Sequence, residues 1–377
     1  MSTGRFASGL RGLVSLKTTS DELLHLDLMR FIASAAIVLC HSGEFFVPRA
    51  SRPESFERLA GLSLFVDVFF IISGFVIAHI YADRMGTWRQ FARFMQRRIG
   101  RLFPLHLATL FAVGLLFYLI GVFNVPTNTD MRLVPECLVL GTLLLHSVID
   151  CGGPVPNGVN WSISAEMVMY ALFPLLLLAA RSLGLLRYGL WLVFLIGVSW
   201  TYAEGALWAS KTEFLRALPA FFFGLVLRLD WERLDRFAVP GMVPVGFALA
   251  LIAGSLLVWP GWLLLALAYA AAASAILADT RPAAAPLTRR LAPLGQLTYS
   301  MYMLHPIIIM VLVNAVGDKL LKLDPVPLGL VTLASYGLIM VVSLLSYKWF
   351  EQPARAFIDG LPLVPPERAK GGNEGHV

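Results

Sequence analysis

Long apolar stretches, separated by short polar loops, run along almost the whole chain. A membrane-spanning helix needs about 20 apolar residues, because the hydrocarbon core is about 30 Å thick and each helical residue rises about 1.5 Å. The pattern therefore predicts an all-α fold, a polytopic bundle of about ten transmembrane helices. The predicted spans are 23–46, 59–81, 102–123, 163–184, 188–204, 212–229, 238–258, 260–278, 296–317 and 327–349.

One further apolar stretch, 133–149, is shorter and carries Glu136 and His146. Loop charge bears on whether it spans, because cytoplasmic loops are rich in Lys and Arg. If 133–149 does not span, every strongly basic loop falls on the side of the N-terminus. We therefore expect this segment to be re-entrant or to lie at the outer surface, with both chain ends cytoplasmic. The basic loops lie at 84–101, 181–187, 228–236, 281–290 and from 348 onward.

The composition agrees with a bilayer environment. Apolar residues make up 58% of the 377 residues and charged residues only 14%, whereas soluble domains have about 25% charged residues. The net charge of +6 is carried by loops between apolar stretches, so it indicates orientation in a membrane and not nucleic-acid binding. We expect a cytoplasmic basic segment at 1–22, a membrane domain at 23–355 and a cytoplasmic, disordered tail at 356–377.

The three cysteines, Cys40, Cys137 and Cys151, lack the spacing of a zinc site, so no metal is expected. Cys137 and Cys151 can pair if both face an oxidising compartment, and the sequence leaves this open. Residues 1–22 lack a long apolar core and a cleavage site. The first span is therefore expected to act as an uncleaved signal anchor.

Ionisable side chains inside the spans are candidates for chemistry, because they are costly in lipid and usually face the bundle interior. Arg30 and His41 are eleven residues apart, which places them on one helix face about 16 Å apart along the axis. Asp67 and Glu166 are expected at the same outer depth as His41. A histidine beside a carboxylate can act as a general base. Glu166, Asp67 and Glu44 all remain open as that carboxylate.

Two other polar groups stand out. Arg98 and Arg101 have i,i+3 spacing at the start of the third span, and guanidinium groups bind phosphate oxygens bidentately. Tyr299, Tyr302 and His305 recur on the ninth span. Each group also has a plainer interpretation: the arginines as orientation signals, the tyrosines as interfacial aromatics. Likewise, His41 can be a packing residue, Arg30 can reach the headgroups, and Asp67 can be structural.

Six short motifs follow one another in a fixed order along residues 23–355. The first is Leu26–Phe31 followed by His41. The others are Phe69–Phe75, Arg98–Pro104, Trp161–Glu166, Tyr299–Pro306 and Phe350–Pro353. In this order they resemble the acyltransferase family three proteins, which share an arginine and a histidine at the spacing of the first motif. Each motif alone is weak, but six in order are specific.

The resemblance implies a bacterial inner-membrane enzyme that moves an acyl group, most commonly acetyl, from cytosolic acyl-CoA to a hydroxyl of a carbohydrate or glycolipid. It implies His41 and Glu166 as catalytic residues. It also implies that Arg30, Arg98 and Arg101 bind the acyl-CoA co-substrate, with no tightly bound cofactor. Oligomeric state is not predicted. Further candidate site residues are Asp67, Ser73, Trp161, Tyr299, Tyr302 and His305.

Two alternatives remain open from the sequence. The chain could be a proton-coupled transporter or exporter of a small amphiphile or sugar derivative, with His41, Asp67 and Glu166 as a proton relay. It could also be a structural subunit of a polysaccharide assembly complex. A transporter would move its substrate without consuming acyl-CoA, and a structural subunit would tolerate His41→Ala.

Overall fold

The computed structural model describes residues 23–123, 131–203, 213–280 and 284–363. Every regular element in these ranges is helical, which confirms the predicted all-α class. The α-helices are α1 (Leu24–Ser42), α2 (Arg52–Ala60), α3 (Phe65–Tyr81), α4 (Trp88–Val122), α5 (Pro135–Thr142), α6 (Asn160–Ser182), α7 (Leu186–Ala203), α8 (Glu213–Leu229), α9 (Trp231–Leu234), α10 (Met242–Leu256), α11 (Gly261–Ala278), α12 (Pro286–Leu291), α13 (Thr298–Ile308), α14 (Pro325–Ser346) and α15 (Gln352–Gly360). They are joined in part by 3₁₀ segments (Gly43–Phe46, Arg49–Ser51, Gly61–Leu64, Ala82–Arg84, Asp235–Phe237, Ala292–Leu297) and π-helical segments (Ile309–Leu320, Tyr347–Glu351).

Within the described ranges, seven helical stretches are long and apolar enough to cross a membrane. The other three predicted spans correspond, in order, to α7, α8 and α10, which have 18, 17 and 15 residues. The chain is therefore a polytopic helical membrane protein, as the sequence predicts. The seven stretches are Leu24–Phe46, Arg49–Arg84, Trp88–Val122, Asn160–Ser182, Gly261–Ala278, Pro286–Leu320 and Pro325–Gly360.

Helix α1 begins without a side-chain cap from its own N-terminal residue. Instead, the carboxylate of Asp279, just after α11, accepts the backbone N–H groups of His25 at 2.9 Å and Leu26 at 3.0 Å. The first N–H groups of a helix have no partner within it and carry partial positive charge, so a carboxylate at this end stabilises the helix. This contact fixes the start of α1 against the end of α11.

Helices α3 and α8 cross with their backbones in contact. A Cβ atom added to Gly74 would overlap the backbone carbonyl of Phe221, and one added to Gly224 would overlap that of Ile71. Small residues at such crossings let transmembrane helices pack closely through van der Waals contact. Since α3 also carries Ser73 and Phe70, this crossing sets the position of one wall of the cavity described below.

The segment 133–149 contains no helix long enough to span a bilayer. Helix α5 has eight residues, so it is about 12 Å long, and it ends in turns that include Leu144 at a φ of 56°. A disulfide between Cys137 and Cys151, with Cα atoms 5.0 Å apart, closes the segment into a loop. The pairing that the sequence left open is therefore present. Nε2 of His106 on α4 lies 2.9 Å from the carbonyl oxygen of Gly141 and holds the loop against the bundle.

Replacing Cys137 or Cys151 with alanine is expected to lower the melting temperature of the purified protein. A disulfide that closes a loop of about 15 residues contributes about 3 kcal/mol to stability in the chain-entropy model. The double variant is expected to melt like either single variant, because one bond is lost in each case. Cys40→Ala, which removes the free buried thiol, is the control for general effects of losing a cysteine. A double variant as stable as the wild type would contradict the prediction.

The C-terminal boundary differs from the sequence-based one. The predicted tail starts at 356, but α15 continues through Gly360. Its end is tied to α4, because the side-chain amide of Gln96 donates to the carbonyls of Ile358 at 2.7 Å and Leu361 at 2.9 Å. These bonds, made by a residue distant in sequence, keep the helix on the bundle. The predicted segment 1–22 and residues 364–377 of the predicted tail lie outside the described residues.

Candidate active site

A cavity opens between α1, α3, α4, α6 and α13. Its walls combine apolar side chains of α3, such as Phe69 and Phe70, with charged and hydroxyl groups from the other helices. Seven residues that the sequence analysis singled out line it, although they come from distant parts of the chain. They are Arg30, Ser73, Arg98, Arg101, Glu166, Tyr299 and Tyr302.

Arg98 occupies one end of the cavity. It is 7% exposed, and its guanidinium group packs over the rings of Tyr81 and Tyr170 at 5.5 and 5.8 Å from their centroids. Nη2 of Arg98 donates to the hydroxyl of Tyr81 at 3.3 Å, while its buried Nε has no hydrogen-bond partner among the described residues. Burying a polar donor without a partner is costly, so this nitrogen is an unsatisfied donor in a residue that lines the cavity.

Arg101 and Arg30 stand near Arg98. Arg30 pairs with Asp27 at 3.1 Å, one helical turn earlier. Arg101 lies within electrostatic range of Arg30 and of Glu351. Among the side chains that line the cavity, three guanidinium groups outnumber the single carboxylate of Glu166, which favours an anionic ligand.

Glu166 lies in the same cavity but not beside His41. Its Oε1 accepts hydrogen bonds from Ser73 Oγ at 2.6 Å and from the hydroxyl of Tyr170 at 2.5 Å. The predicted contact between Glu166 and His41 is not observed among these bonds, and a catalytic role for Glu166 stays a prediction. The face of α6 that carries Glu166 turns toward α3, where Ser73 lies.

Two residues near this site, Tyr170 and Glu351, were not predicted as site residues. Tyr170 lies four residues after Glu166, so the two side chains share one face of the helix. This spacing could have indicated a contact between the Tyr170 hydroxyl and Glu166 from the sequence alone. Glu351 is 7% exposed and accepts from Ser300 Oγ at 2.9 Å. It follows the last predicted span, so the apolar pattern does not indicate that it lies inside the bundle. Only the return of that segment against α4 brings it near Arg101.

The neighbour of His41 is His305. Their ring centroids are 5.1 Å apart, and His305 Nε2 lies 3.2 Å from His41 Nδ1. Two turns earlier along the same two helices, Ser34 Oγ donates to the Thr298 carbonyl at 3.4 Å. Both histidines follow these residues by seven positions, so the parallel packing of α1 and α13 brings the two rings together. His41 is exposed and His305 is completely buried.

Tyr302 lies between the cavity and the histidine pair. It lines the cavity, and its ring centroid is 5.9 Å from that of His305. Its hydroxyl accepts from Ser162 Oγ at 2.8 Å and donates to the Val159 carbonyl at 3.2 Å. Tyr299, one turn earlier on α13, lines the cavity and donates to the carbonyl of Leu102. The arginine end of the cavity is thus connected to the histidines through one face of α13.

Asp67 and Trp161 lie behind the cavity wall. Asp67 forms an ion pair with Arg216 at 2.5 Å, and both side chains are at most 5% exposed. The Arg216 guanidinium group lies 5.4 Å from the centroid of the Trp161 ring, which in turn contacts the ring of Phe70. Glu44, the third candidate carboxylate, interacts with Arg52 and Asp318 beyond the end of α1. These groups support the wall, and a carboxylate partner for His41 is not found among the three candidates.

No cluster of three or more His, Cys, Asp or Glu side chains in the described ranges is arranged to hold a metal ion. The cavity instead presents cations and hydroxyl groups to a partly apolar space, and the histidine pair lies outside its lining, next to Tyr302.

Comparison with known proteins gives consistent findings. The sequence model of an acyltransferase domain matches residues 23–348. The acyltransferase MdmB of Streptomyces mycarofaciens is 29% identical over 157 residues, which are 41% of this chain and 39% of that protein. Protein 2 in the picA locus of Rhizobium radiobacter is 30% identical over 165 residues, which are 41% of this chain and 81% of that protein. The match with MdmB thus spans well under half of its length. No solved structure matches the chain significantly.

Proposed function

We propose that this chain, which belongs to the acyltransferase family whose domain model matches residues 23–348, transfers an acyl group from a CoA thioester to a hydroxyl of a carbohydrate or glycolipid acceptor at the membrane. The observation that carries the proposal is the cavity with three guanidinium groups at one end and a histidine pair beyond the other. Acetyl-CoA is the first donor to test.

The arginine end suits the phosphates of CoA. Guanidinium groups bind phosphate oxygens bidentately, and Arg98 has a buried Nε that lacks a protein partner. On α1, Arg30 and His41 are eleven residues apart, or about 16 Å along the axis. That separation fits a donor whose charged head and reactive thioester are joined by a long arm. Glu166 lines the path between them, where its carboxylate can accept N–H groups of that arm.

In the proposed reaction, His41 takes the proton of the acceptor hydroxyl while the hydroxyl oxygen attacks the thioester carbonyl carbon. A C–O bond forms, and the C–S bond then breaks. The proton on His41 passes to the departing sulfur, so the products are the acyl ester and the CoA thiol. This step needs an accessible imidazole, and His41 is exposed while its partner His305 is buried.

The disulfide supports an orientation. A bond between Cys137 and Cys151 persists in an oxidising compartment. Helix α4 runs from the basic segment before Arg98 toward this loop. With the loop outside, the arginine end of the cavity faces the cytoplasm, where acyl-CoA is made. We therefore propose a bacterial inner-membrane location with both chain ends cytoplasmic, which the charge of the loops also supports.

The test uses purified protein in nanodiscs with acetyl-CoA that carries a labelled acetyl group and a crude glycolipid extract. CoA thiol release together with transfer of label to the extract is the expected result. A transporter would move material across a vesicle membrane without releasing thiol. If neither acetyl-CoA nor longer acyl-CoAs are consumed, the proposal is wrong.

Arg101→Ala is expected to raise KM for acetyl-CoA about 10- to 100-fold and to change kcat less. Hydrogen bonds to charged groups contribute about 1.5–3 kcal/mol, and about 1.4 kcal/mol corresponds to a factor of ten. The matched control is Arg97→Ala, which removes an exposed arginine of the same helix and is expected to leave KM within about twofold. Equal effects of the two variants on KM would contradict a donor site at Arg101.

A further inference from the structure

The hydrogen bonds around His305 decide which of its nitrogens carries a proton. Nδ1 of His305 lies 3.1 Å from the backbone carbonyl oxygen of Met301, one turn earlier. A carbonyl oxygen only accepts, so Nδ1 must carry the hydrogen. In the neutral ring, Nε2 then has a free lone pair. This lone pair is directed at His41, whose Nδ1 is 3.2 Å away.

The hydrogen bonds of His41 likewise decide which of its nitrogens carries a proton. Its Nδ1 lies 3.0 Å from the carbonyl oxygen of Ile37 and faces the lone pair on Nε2 of His305. Both neighbours are acceptors, so Nδ1 of His41 carries the hydrogen and is shared between them. The other nitrogen of His41, Nε2, is therefore the unprotonated one. It belongs to a ring that is exposed, whereas the ring of His305 is completely buried.

We propose that His305 is a positioning residue that fixes the tautomer and ring orientation of His41 and so presents the basic Nε2 to the acceptor hydroxyl. His305 thus takes the place that the sequence analysis assigned to a carboxylate. The role rests on the proposed function, in which His41 is the general base. When His41 gains the acceptor proton at Nε2, its Nδ1–H still donates to His305, so the pair holds its geometry through the reaction.

An uncharged hydrogen-bond partner for His41 has a physical advantage inside a membrane domain. An ionised carboxylate inside a membrane domain is costly unless it is paired with a cation, as the buried Asp67 is with Arg216. A buried neutral imidazole can accept a hydrogen bond without bringing a charge. Its position is fixed by the bond to Met301 and by the ring of Tyr302.

Three substitutions separate positioning from packing. In His305→Asn, the side-chain nitrogen can still donate to the Met301 carbonyl but does not reach His41. In His305→Gln, the longer amide places an acceptor oxygen where Nε2 stood. His305→Ala removes both contacts. The Ala and Asn variants are expected to lower kcat roughly 10- to 100-fold, which is a part of the factor that a general base contributes. Their KM for acetyl-CoA is expected to stay within about twofold of the wild type, because His305 does not line the cavity that holds the three arginines. Gln is expected to recover most of kcat.

Melting temperatures establish that each variant is folded. Full activity of His305→Asn would overturn the proposal, since that variant lacks the contact with His41. Equal loss of kcat in folded Gln and Asn variants would overturn it as well.

A second measurement does not depend on turnover. Nitrogen chemical shifts of ¹⁵N-labelled histidine in bilayers report which ring nitrogen carries the hydrogen, and the signal of His41 is identified by its loss in His41→Ala. The expected state is Nδ1 protonated and Nε2 unprotonated in the wild type, with a mixture of both tautomers in His305→Asn. A His41 protonated at Nε2 in the wild type would overturn the proposal. If acyl transfer itself is not found but this tautomer is, the proposed function fails while the histidine pair stands.

Discussion

His41→Ala is expected to lower kcat for acyl transfer by roughly 10²- to 10⁴-fold, which is the contribution typical of a positioned general base. Without the imidazole, the acceptor hydroxyl must lose its proton to water that a membrane site holds in short supply. KM for acetyl-CoA is expected to stay within about twofold of the wild type, because His41 does not line the cavity that holds the three arginines. Label transfer and CoA thiol release, measured over a range of acetyl-CoA concentrations, check both parameters.

The matched control is His79→Ala. His79 is also an exposed histidine on a spanning helix, but it lies at the opposite end of α3 from Asp67, where Arg228 Nε donates to its ring at 2.9 Å. It is expected to keep at least half of the wild-type kcat. An active His41→Ala variant would rule out the proposed base, and it would favour a structural role for the chain.

His41→Ala is expected to lower kcat, whereas Arg101→Ala is expected mainly to raise KM for acetyl-CoA. One group acts where the acyl group is transferred and the other where the donor phosphates bind. If the two sites are independent, their effects on kcat/KM should multiply in the double variant, since residues far apart with no shared partner act additively in free energy. A smaller combined effect would mean that the donor must be held at Arg101 before His41 can act.

Much of the candidate site could be predicted because helical periodicity fixes which residues share one face of one helix. Arg30 on α1, Arg98 and Arg101 on α4 and Glu166 on α6 all line the cavity. The partners across helices could not be predicted in this way. His305 meets His41 only because α1 and α13 pack in parallel with a particular register, and hydropathy carries no information on that register.

The same limit explains where the sequence-based fold differs from the structure. Apolar length predicted the order of the helices, but it could not show that α10 has only 15 residues or that α15 returns against α4. Those features depend on contacts such as the bonds from Gln96 to the end of α15. The disulfide was likewise open, since spacing alone does not establish that Cys137 and Cys151 are close in space.

Gly74→Ala is expected to lower the free energy of unfolding by about 3 kcal/mol or more, the upper part of the range for overpacking a core. The added methyl group would overlap the backbone carbonyl of Phe221 on α8. A flexible side chain could turn away from such an overlap, but a helix backbone can only move as a whole. Gly224→Ala is expected to have the same effect from the other side, because its methyl group would overlap the carbonyl of Ile71.

Thermal unfolding and the yield of monodisperse protein in detergent measure this effect. The matched control is Gly337→Ala on α14, a helical glycine with open space around the new methyl group. It is expected to be neutral or to stabilise by about 0.5–1 kcal/mol, because alanine loses less conformational entropy in a helix than glycine. Ser73, which precedes Gly74, lines the cavity and donates to Glu166. A shift of α3 would move Ser73, so any Gly74→Ala protein that folds is also expected to bind acetyl-CoA more weakly. A Gly74→Ala variant as stable as Gly337→Ala would show that α3 and α8 do not cross as closely as the structure places them.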